Sequence, residues 1–377
     1  MLTATTLCLA LFVGITLVAH LLSTVLACRH VARSAPSAQN LPIPPVTIIR
    51  PVCGCDPALH DTLASSFNTA TPSEVLFCVS EPDDPAIDVI ASVIASHPQA
   101  DARLLIGEDA ISNNPKLNNL AKGWNAARHD WIALIDSNVL LPQDFVATLF
   151  GAWQTDTGLV TSPPAGIKPT TTAARIEAGF LNTYQDRWQL AADQVGLGFA
   201  QGKVLFWRRD VLEGAGGLAA LGGNLAEDVA ATKVVRAAGL CVRLVPSPFP
   251  QPLGARSFTE VWQRQIRWAR VRRDGFPLIF ALEPLSGAAP PVLALSFLCL
   301  NLHASPLWVA MLVLLWFGSE WELARRAGWP ANAIDMLCWM LRDAMIPAVW
   351  AAALGSRCIN WRGHDMKPAA SARWSHE

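Results

Sequence analysis

The sequence predicts an α/β domain that is held at a membrane by apolar helices near both ends of the chain. In the middle of the chain, short apolar runs that are typical of buried strands alternate with helical stretches. Near both ends stand apolar stretches long enough to cross a bilayer. The composition agrees, because 52% of the 377 residues are hydrophobic and only 16% are charged, against about 25% charged in an average soluble domain.

Charge and cysteine content narrow the classes of function. The net charge of −1 gives the chain no basic field, so we expect no nucleic-acid partner. The nine cysteines are scattered, which favours reduced thiols and a domain that faces the cytosol. The one close pair, Cys53 and Cys55, is either a metal or disulfide site or two small side chains in a turn.

Residues 1–28 are predicted to form an N-terminal transmembrane helix. The apolar run has about 25 residues, enough to cross a hydrocarbon core of roughly 30 Å. It differs from a signal peptide because no Lys or Arg precedes it and because it is longer than a signal core. Arg29 and Arg33 follow it, so the positive-inside rule places the next part of the chain in the cytoplasm.

Residues 288–355 are predicted to form a C-terminal transmembrane region with two or more helices. Its first apolar run, 288–317, is interrupted by prolines, so it is either one long tilted helix or a broken, partly re-entrant pair. Its second run contains Arg342 and Asp343, which require a buried ion pair or a wet bundle interior. The basic tail, 356–377, is predicted to be cytosolic.

The region 46–285 is predicted to be the cytosolic domain. Three runs predict buried strands: VTIIRPV at 46–52, VLFCVS at 75–80 and DWIALID at 130–136. Helical stretches lie between them, which favours a parallel sheet with helices on both faces. Ligands of such sheets bind at the carboxyl ends of the strands, so the polar residues that follow each strand are the candidate site.

Two acidic motifs follow predicted strands. Asp136 ends the third run and opens the sequence Asp-Ser-Asn, which suits either a divalent ion on a nucleotide diphosphate or a simple turn cap. Asp83 and Asp84 follow the second run and precede a helix. One of them is expected to cap that helix, which leaves the other for a ribose hydroxyl or a base edge.

Three further motifs contain charged residues that are candidates for the predicted site. Lys116 lies among asparagines before a helix, where it either meets a phosphate or belongs to an ordinary capped turn. Glu227 and Asp228 open a helix after a glycine-rich loop, either as a general base with its partner or as acids favoured by the helix dipole. The run from Arg264 to Trp268 offers an arginine fork for diphosphate oxygens, or an interfacial helix at lipid headgroups.

In this order, the motifs resemble those of inverting glycosyltransferases of the GT-A fold, and most of all glycosyltransferase family 21, the ceramide glucosyltransferases, in a bacterial form. The resemblance covers roughly residues 46–285 and rests on these stretches: FCVSEPDDPAIDVI, DARLLIGEDAISNNPKLNNLAKGW, LIDSNV, AEDVAATKVV and RQIRWARVR. It implies a GT-A (nucleotide-diphospho-sugar transferase) domain in a bacterial inner membrane protein, with the catalytic domain in the cytoplasm.

The resemblance also implies roles for individual residues. Asp84 would bind the nucleoside of a UDP-sugar donor, and Asp136 would bind its diphosphate together with Mg²⁺ or Mn²⁺. Asp228 would be the general base for the primary hydroxyl of ceramide, giving a β-linked product by inversion. The remaining donor contacts would come from the basic and aromatic residues Lys116, Arg264, Arg267 and Trp268.

Several positions depart from the family pattern. Gln185 stands where the family usually has His, and Cys53-Gly54-Cys55 stands where it usually has Lys-Gly-Val. Gln201 and Lys203 lie where the animal enzymes have a Thr-Gly-Met stretch, and a lysine there could meet an anionic sugar such as a uronic acid. Asn138 follows the family in replacing the second Asp of a DxD motif, which weakens metal binding relative to a DxD enzyme without excluding it.

Other functions share parts of this pattern. A hopanoid or another membrane lipid could replace ceramide as acceptor, and UDP-galactose or UDP-glucuronate could replace UDP-glucose as donor. A processive polysaccharide synthase shares the Arg-Trp motif, but it usually has Gln at the position of Arg264 and more spanning helices. A non-catalytic scaffold is disfavoured, because the three acidic motifs and RxxRW are intact.

Overall fold

The computed structural model describes residues 4–33, 43–355, 359–361 and 364–366, and the chain divides into two compact units. The sheet unit comprises Arg33–Ala165, Val195–Gly254 and Arg357–Glu377. The helical unit comprises Met1–Ala32, Gly166–Gln194 and Ala255–Ser356. Apart from two short strands, the predicted tail lies outside the described residues, as do its arginines and lysine.

The strands are β1 (Val46–Val52), β2 (Ser73–Val79), β3 (Asp101–Ile106), β4 (Trp131–Ile135), β5 (Thr157–Thr161), β6 (Pro164–Pro169), β7 (Val204–Arg208), β8 (Cys241–Leu244), β9 (Phe249–Gly254), β10 (Ile359–Trp361) and β11 (His364–Met366). The α-helices are α1 (Ala4–Val31), α2 (Leu59–Ala64), α3 (Ala86–Ala95), α4 (Pro115–Ala126), α5 (Phe145–Ala152), α6 (Thr172–Gly179), α7 (Arg187–Gln194), α8 (Arg209–Glu213), α9 (Glu227–Ala237), α10 (Phe258–Gly275), α11 (Pro277–Leu282), α12 (Ala289–Asn301), α13 (Leu307–Ala327) and α14 (Ala333–Leu354). A π-helix, Phe180–Asp186, joins α6 to α7.

The sheet unit is built on a seven-stranded sheet with the order β3-β2-β1-β4-β7-β5-β8. The three strands predicted from the sequence are confirmed as β1, β2 and β4, each within two residues of the predicted bounds. These strands and β3 run parallel, so their carboxyl ends meet at one edge of the sheet. The predicted helices that follow them are confirmed as α2, α3 and α4.

The expectation of a parallel sheet is wrong for β7, which runs antiparallel to both of its neighbours, β4 and β5. The apolar pattern of β7 shows that it is a buried strand, but such a pattern carries no information about direction. The reversal has a consequence for the site. Because Val204 pairs with Ile135, the residues just before β7 lie beside the residues just after β4.

Helices cover both faces of the sheet, which explains why the strand sequences are continuous apolar runs. Successive side chains point to opposite faces. In β2, Val75 and Phe77 pack in the cluster that contains α3 and α5, whereas Leu76 and Cys78 pack in the cluster that contains α4 and α9. This double cover holds the sheet rigid behind its polar edge.

The helical unit contains three helices that are long and apolar enough to cross a membrane: α1, α13 and α14. The segments Pro277–Leu285 and Ala289–Asn301, bent by 42°, make a fourth span if they are counted together. The expected N-terminal helix and two C-terminal helices are therefore present as candidate spans. Helix α1 packs against α7, α12 and α13.

The apolar run 288–317 is a broken pair rather than one tilted helix. Helix α12 ends at Asn301, and α13 begins after Pro306. Between them His303 has a φ of 51°, a left-handed conformation that helices do not continue through. Proline suits the start of α13, because the first N–H groups of a helix have no partner within it.

Arg342 and Asp343 lie in a buried ion network, as the ion-pair alternative predicted. The Arg342 guanidinium donates to both carboxylate oxygens of Glu320 at 3.0 Å and, from Nε, to Asp343 at 2.8 Å. Its Nη1 donates to the carbonyl of Gly179 at 3.0 Å and to the hydroxyl of Thr183 at 2.6 Å. Every N–H direction of the guanidinium is thus used, which makes a buried arginine tolerable.

The predicted division into 1–28, 46–285, 288–355 and 356–377, by position relative to the membrane, stays a prediction. The two units follow packing rather than chain order, and each collects segments that are far apart in the sequence. Residues 166–194 and 255–285 pack in the helical unit, together with the candidate membrane spans.

Candidate active site

The polar edge of the sheet unit gathers five charged side chains from four elements. Asp136 follows β4, Lys203 precedes β7, Lys116 lies in the first turn of α4, and Glu227 and Asp228 open α9. We call these five residues the sheet-edge cluster. Parallel β4 and antiparallel β7 bring their residues to one place, and the amide of Asp136 donates to the carbonyl of Lys203 at 3.0 Å.

Asp136 is held between two lysines. Its Oδ1 lies 2.6 Å from Lys116 Nζ, and its Oδ2 lies 2.9 Å from Lys203 Nζ. The same Lys203 Nζ lies 3.1 Å from Oδ1 of Asn138. Burial by itself would raise the pKa of the Asp136 carboxyl, but the two lysines outweigh it and hold that pKa well below its usual range. Asp136 is therefore fully ionised at neutral pH.

Lys116 is a bridge inside the cluster. Its ammonium group contacts Asp136 Oδ1 at 2.6 Å, Glu227 Oε1 at 2.5 Å and the carbonyl of Gly202 at 2.7 Å. An ammonium group has three protons, so each proton of Lys116 has an acceptor within the protein. Burial opposes the charged form, but the charges of Asp136 and Glu227 raise the pKa of Lys116 above its usual value.

Asp228 differs from the other two carboxylates because only backbone groups bond to it among the described residues. Its Oδ2 accepts from the amide of Gly202 at 3.1 Å, and its Oδ1 accepts from the amide of Val229 at 2.8 Å. Burial first, and then the charge of Glu227, raise the pKa of Asp228 to about 6, against the opposing effect of these hydrogen bonds and Lys116. The side chain can thus take up a proton near neutral pH.

Gly202 allows this close approach. A Cβ atom at this position would lie 2.7 Å from Glu227 Oε1 and 3.5 Å from Asp228 Oδ2. The first of these distances is shorter than van der Waals contact permits, so any side chain would displace Glu227. The need for glycine is steric here and does not depend on a positive φ angle.

Arg50 supports the loop that follows β4. It is fully buried within β1, and its Nη2 donates to the carbonyls of Thr62, Ser137 and Val139 at 3.0 to 3.2 Å. Burial lowers the pKa of Arg50 to about 9, while Asp136 favours its charged form. The arginine fixes the backbone on both sides of Asn138, which carries the amide that meets Lys203.

Asp84 binds to a different loop of the same sheet edge. Its carboxylate accepts from the amide of Gly54 at 2.8 and 3.1 Å and from the amide of Ala86 at 2.8 Å. Asp84 therefore both caps α3 and braces the turn at Cys53 and Cys55, which are exposed free thiols. Asp83 is exposed to solvent. One of these two acidic residues was expected to cap α3, and in the structure Asp84 makes the capping contact.

In the helical unit, the arginine motif lies on α10, which starts with a capping box between Ser257 and Glu260. Arg264 Nη1 lies 2.5 Å from Oε1 of Glu177, whose carboxylate is fully buried. Arg256 Nε lies 3.6 Å from the other oxygen of Glu177. Arg267 and Trp268 are half-buried on the same helix.

A divalent ion at Asp136 does not fit the side chains around it. Both carboxylate oxygens of Asp136 and the amide oxygen of Asn138 already face ammonium groups. A cation placed there would also meet the two positive charges of Lys116 and Lys203. Within the described ranges, His, Cys, Asp and Glu form no group of three that could hold a metal ion. The expected Mg²⁺ or Mn²⁺ at Asp136 thus lacks a ready set of ligands.

The fold is that of a known class of enzymes. A mannosyltransferase from Pyrobaculum calidifontis, solved in complex with GDP-Man and Mn²⁺, matches 94% of this chain and 98% of its own chain with a TM-score of 0.53. The two sequences are 16% identical, so the likeness shows the fold alone. The mixed sheet has the GT-A-like fold that the sequence predicts.

Sequence relatives define the family. The profile of glycosyl transferase family 21 matches residues 9–372, so the chain belongs to this family and is a glycosyltransferase. Ceramide glucosyltransferase 3 of Caenorhabditis elegans is 26% identical over 332 residues, covering 85% of this chain and 72% of that protein. Ceramide glucosyltransferase of Komagataella phaffii is 42% identical over 110 residues, 27% of this chain and 22% of the relative.

Two supporting residues are not among those predicted from the sequence. Arg50 has no predicted role, although an arginine inside the apolar run VTIIRPV signals a buried functional or supporting role. Glu177, the partner of Arg264, has no local signal, because 87 residues separate the two. Lys203 was noted from the sequence, but its contact with Asp136 depends on the direction of β7.

Proposed function

We propose that this protein transfers a sugar, most readily glucose, from a UDP-sugar to the primary hydroxyl of ceramide and releases β-glycosylceramide and UDP. One observation carries the proposal: in a family 21 glycosyltransferase, the sheet-edge cluster contains a carboxylate, Asp228, whose pKa is raised to about 6. The names of the relatives from Caenorhabditis elegans and Komagataella phaffii support ceramide as acceptor and glucose as the sugar.

Asp228 is the general base in this proposal. The ceramide oxygen attacks the anomeric carbon, the bond from that carbon to the UDP oxygen breaks, and the UDP oxygen keeps the electron pair. The hydroxyl proton passes to the Asp228 carboxylate. A base with a pKa near the working pH is effective, and the raised pKa of Asp228 meets this requirement. A single displacement inverts the anomeric centre.

The donor is assigned to the polar edge of the sheet unit. Asp84, whose carboxylate accepts from the amides of Gly54 and Ala86, is proposed to serve the nucleoside through the turn that it braces at Gly54. The sheet-edge cluster faces the diphosphate, with Lys116 positioning Asp136 and Glu227. The arginine motif, namely Arg264, Arg267 and Trp268, is proposed to hold the leaving diphosphate, since a guanidinium fork matches phosphate oxygens. No step of this scheme runs through a metal ion.

The membrane arrangement is part of the proposal. Helices α1, α13 and α14 would span a bacterial inner membrane, and residues 46–285 would act in the cytoplasm. Arg29 and Arg33 after α1 support this orientation. Arg325 and Arg326, which stand at the end of α13, both pair with Glu322. A catalytic unit at the membrane surface can reach a lipid acceptor without extracting it.

A lipid-product assay tests the proposal. Membranes that contain the protein are mixed with ceramide and, in turn, UDP-glucose, UDP-galactose, UDP-N-acetylglucosamine and UDP-glucuronate, and the products are read by mass spectrometry. We expect a hexosylceramide with UDP-glucose, and NMR of the product should show a β linkage. If no donor yields a ceramide product while a control enzyme does, ceramide is not the acceptor, and a hopanoid or another lipid takes its place.

The uronate alternative loses part of its support. It rested on Lys203 as a partner for an anionic sugar, but the ammonium group of Lys203 lies against Asp136 and Asn138. UDP-glucuronate therefore serves in the assay as the donor expected to react poorly.

A further inference from the structure

Lys203 stands where a metal-dependent site of this kind would place its cation. The sequence Asp136-Ser137-Asn138 presents two side-chain oxygens to one point, namely Oδ2 of Asp136 and Oδ1 of Asn138. Lys203 Nζ occupies that point, 2.9 Å from the first oxygen and 3.1 Å from the second. Its side chain is 15% exposed, so the ammonium group is nearly buried but still reachable from the polar edge.

We propose that the Lys203 ammonium group replaces the divalent cation, binding the diphosphate of the donor directly, so that donor binding needs no metal ion. This inference rests on the UDP-sugar donor proposed above. Lys203 thereby binds the diphosphate, whereas the sequence predicts it only as a partner for the sugar.

The hydrogen-bonding capacity of the two lysines distinguishes their roles. Lys116 Nζ has three acceptors, in Asp136, Glu227 and Gly202, which account for all of its protons. Lys203 Nζ has two acceptors in the described part of the chain, Asp136 and Asn138. One proton of Lys203 is thus left for a phosphate oxygen. Lys116 instead holds Asp136 in place.

Charge also favours this arrangement. Asp136 anchors Lys203 in the same way that it would anchor a metal ion, so the lysine is oriented before the donor arrives. A fixed ammonium group stabilises the negative charge that develops on a leaving diphosphate, because it needs no reorganisation at the moment of reaction. A divalent ion would have to displace Lys203 and then remain beside the charge of Lys116.

The test is the binding of UDP to the full-length protein in detergent, measured by calorimetry after chelation with EDTA and again with Mn²⁺. For the wild-type protein we expect affinities that agree within about threefold. Lys203→Met keeps the length of the side chain and removes its charge. In EDTA this variant should bind UDP about 10- to 100-fold more weakly, as expected for the loss of a charge-assisted hydrogen bond. Lys233→Met, at an exposed position of α9, is the matched control and should bind like the wild type.

Direct measurement of bound Mn²⁺ by electron paramagnetic resonance supplies a second readout. Without its lysine, the Asp136 site should gain Mn²⁺ affinity, and Mn²⁺ should restore UDP binding to Lys203→Met. If wild-type UDP binding is lost in EDTA and returns with Mn²⁺, the inference is overturned while the donor assignment stands. If the folded wild-type protein binds no UDP in either condition, the donor assignment itself fails, and this inference fails with it.

Discussion

The two units of this chain each contain a group of charged side chains, and the two groups differ in burial and in how fully their hydrogen-bonding capacity is used. In the helical unit, Arg342 is completely buried. Its guanidinium donates hydrogen bonds to Glu320, Asp343, Gly179 and Thr183. In the sheet-edge cluster, Asp228 is bonded only by backbone amides among the described residues, and Lys203 retains a donor.

This difference separates a structural network from a reactive one. In a buried ion network with every group satisfied, the removal of one partner is strongly destabilising, because it leaves an uncompensated buried charge. In the sheet-edge cluster, a base and a cation have unused hydrogen-bonding capacity. This lowers the stability of the protein, but it leaves groups that can bind a substrate and accept a proton. The comparison predicts that changes in the buried network around Arg342 alter folding, whereas changes in the sheet-edge cluster alter rate or donor binding.

The largest expected effect is that of Asp228→Asn. The amide cannot accept the hydroxyl proton, so the transfer rate should fall at least about 100-fold, the lower limit for a lost general base. The melting temperature should stay close to the wild-type value, because an uncharged side chain relieves the repulsion from Glu227. The exposed Asp210→Asn is the control. An Asp228→Asn variant with most of its activity would remove Asp228 as the base.

Arg342→Met should show the opposite behaviour. The variant leaves Glu320 and Asp343 buried without their cation, which should lower the free energy of unfolding by about 3–5 kcal/mol. Thermal unfolding in detergent measures this loss. Arg326→Met removes an exposed ion pair with Glu322 and should leave the melting temperature nearly unchanged. If the two variants melt alike, the network in the helical unit does not contribute to stability.

Gly202→Ala should lower the transfer rate about 10- to 100-fold, because its Cβ atom displaces Glu227 and shifts the neighbouring base. Steady-state kinetics with the product assay measure the loss. Gly223→Ala is a suitable control, since no heavy atom lies within 4 Å of the added Cβ. Equal rates for the two variants would show that the packing at Gly202 has no role in catalysis.

Arg267→Lys sharpens the assignment of the arginine motif. A lysine retains the charge but loses the planar fork, so UDP affinity should fall about tenfold. Calorimetric titration with UDP measures the change. Arg208→Lys, at an exposed position, serves as the reference. Unchanged affinity in Arg267→Lys would exclude Arg267 from the diphosphate site.

The sequence predicted well the features that depend on local pattern. Hydrophobic runs and their lengths predict the strands β1, β2 and β4, the helices α2, α3 and α4 that lie between them, and long apolar helices near both ends of the chain. The polar residues at the strand ends followed from the rule that ligands bind at the carboxyl edge of a parallel sheet. This rule predicts Asp84 and Asp136, whereas Glu227 and Asp228 are predicted from their place at the start of a helix after a glycine-rich loop.

What the sequence did not reveal depends on contacts between distant segments. The pair of Lys203 with Asp136 spans 67 residues and exists because β7 runs antiparallel to β4. The partner of Arg342 at Glu320 depends on how two helices pack. Hydrophobic periodicity reports burial but not strand direction or side-chain pairing. Those features decide which charged groups are satisfied and which remain reactive.

The pH dependence of kcat/KM for sugar transfer tests most directly the central claim that Asp228 accepts the proton of the acceptor. Its raised pKa favours the protonated form, and only the deprotonated form can act as a base. The rate should therefore be level above a midpoint near pH 6 and fall about tenfold for each pH unit below it. A profile that stays flat from about pH 5 to about pH 7 would contradict the account, because it would show that no group with this pKa takes up the proton.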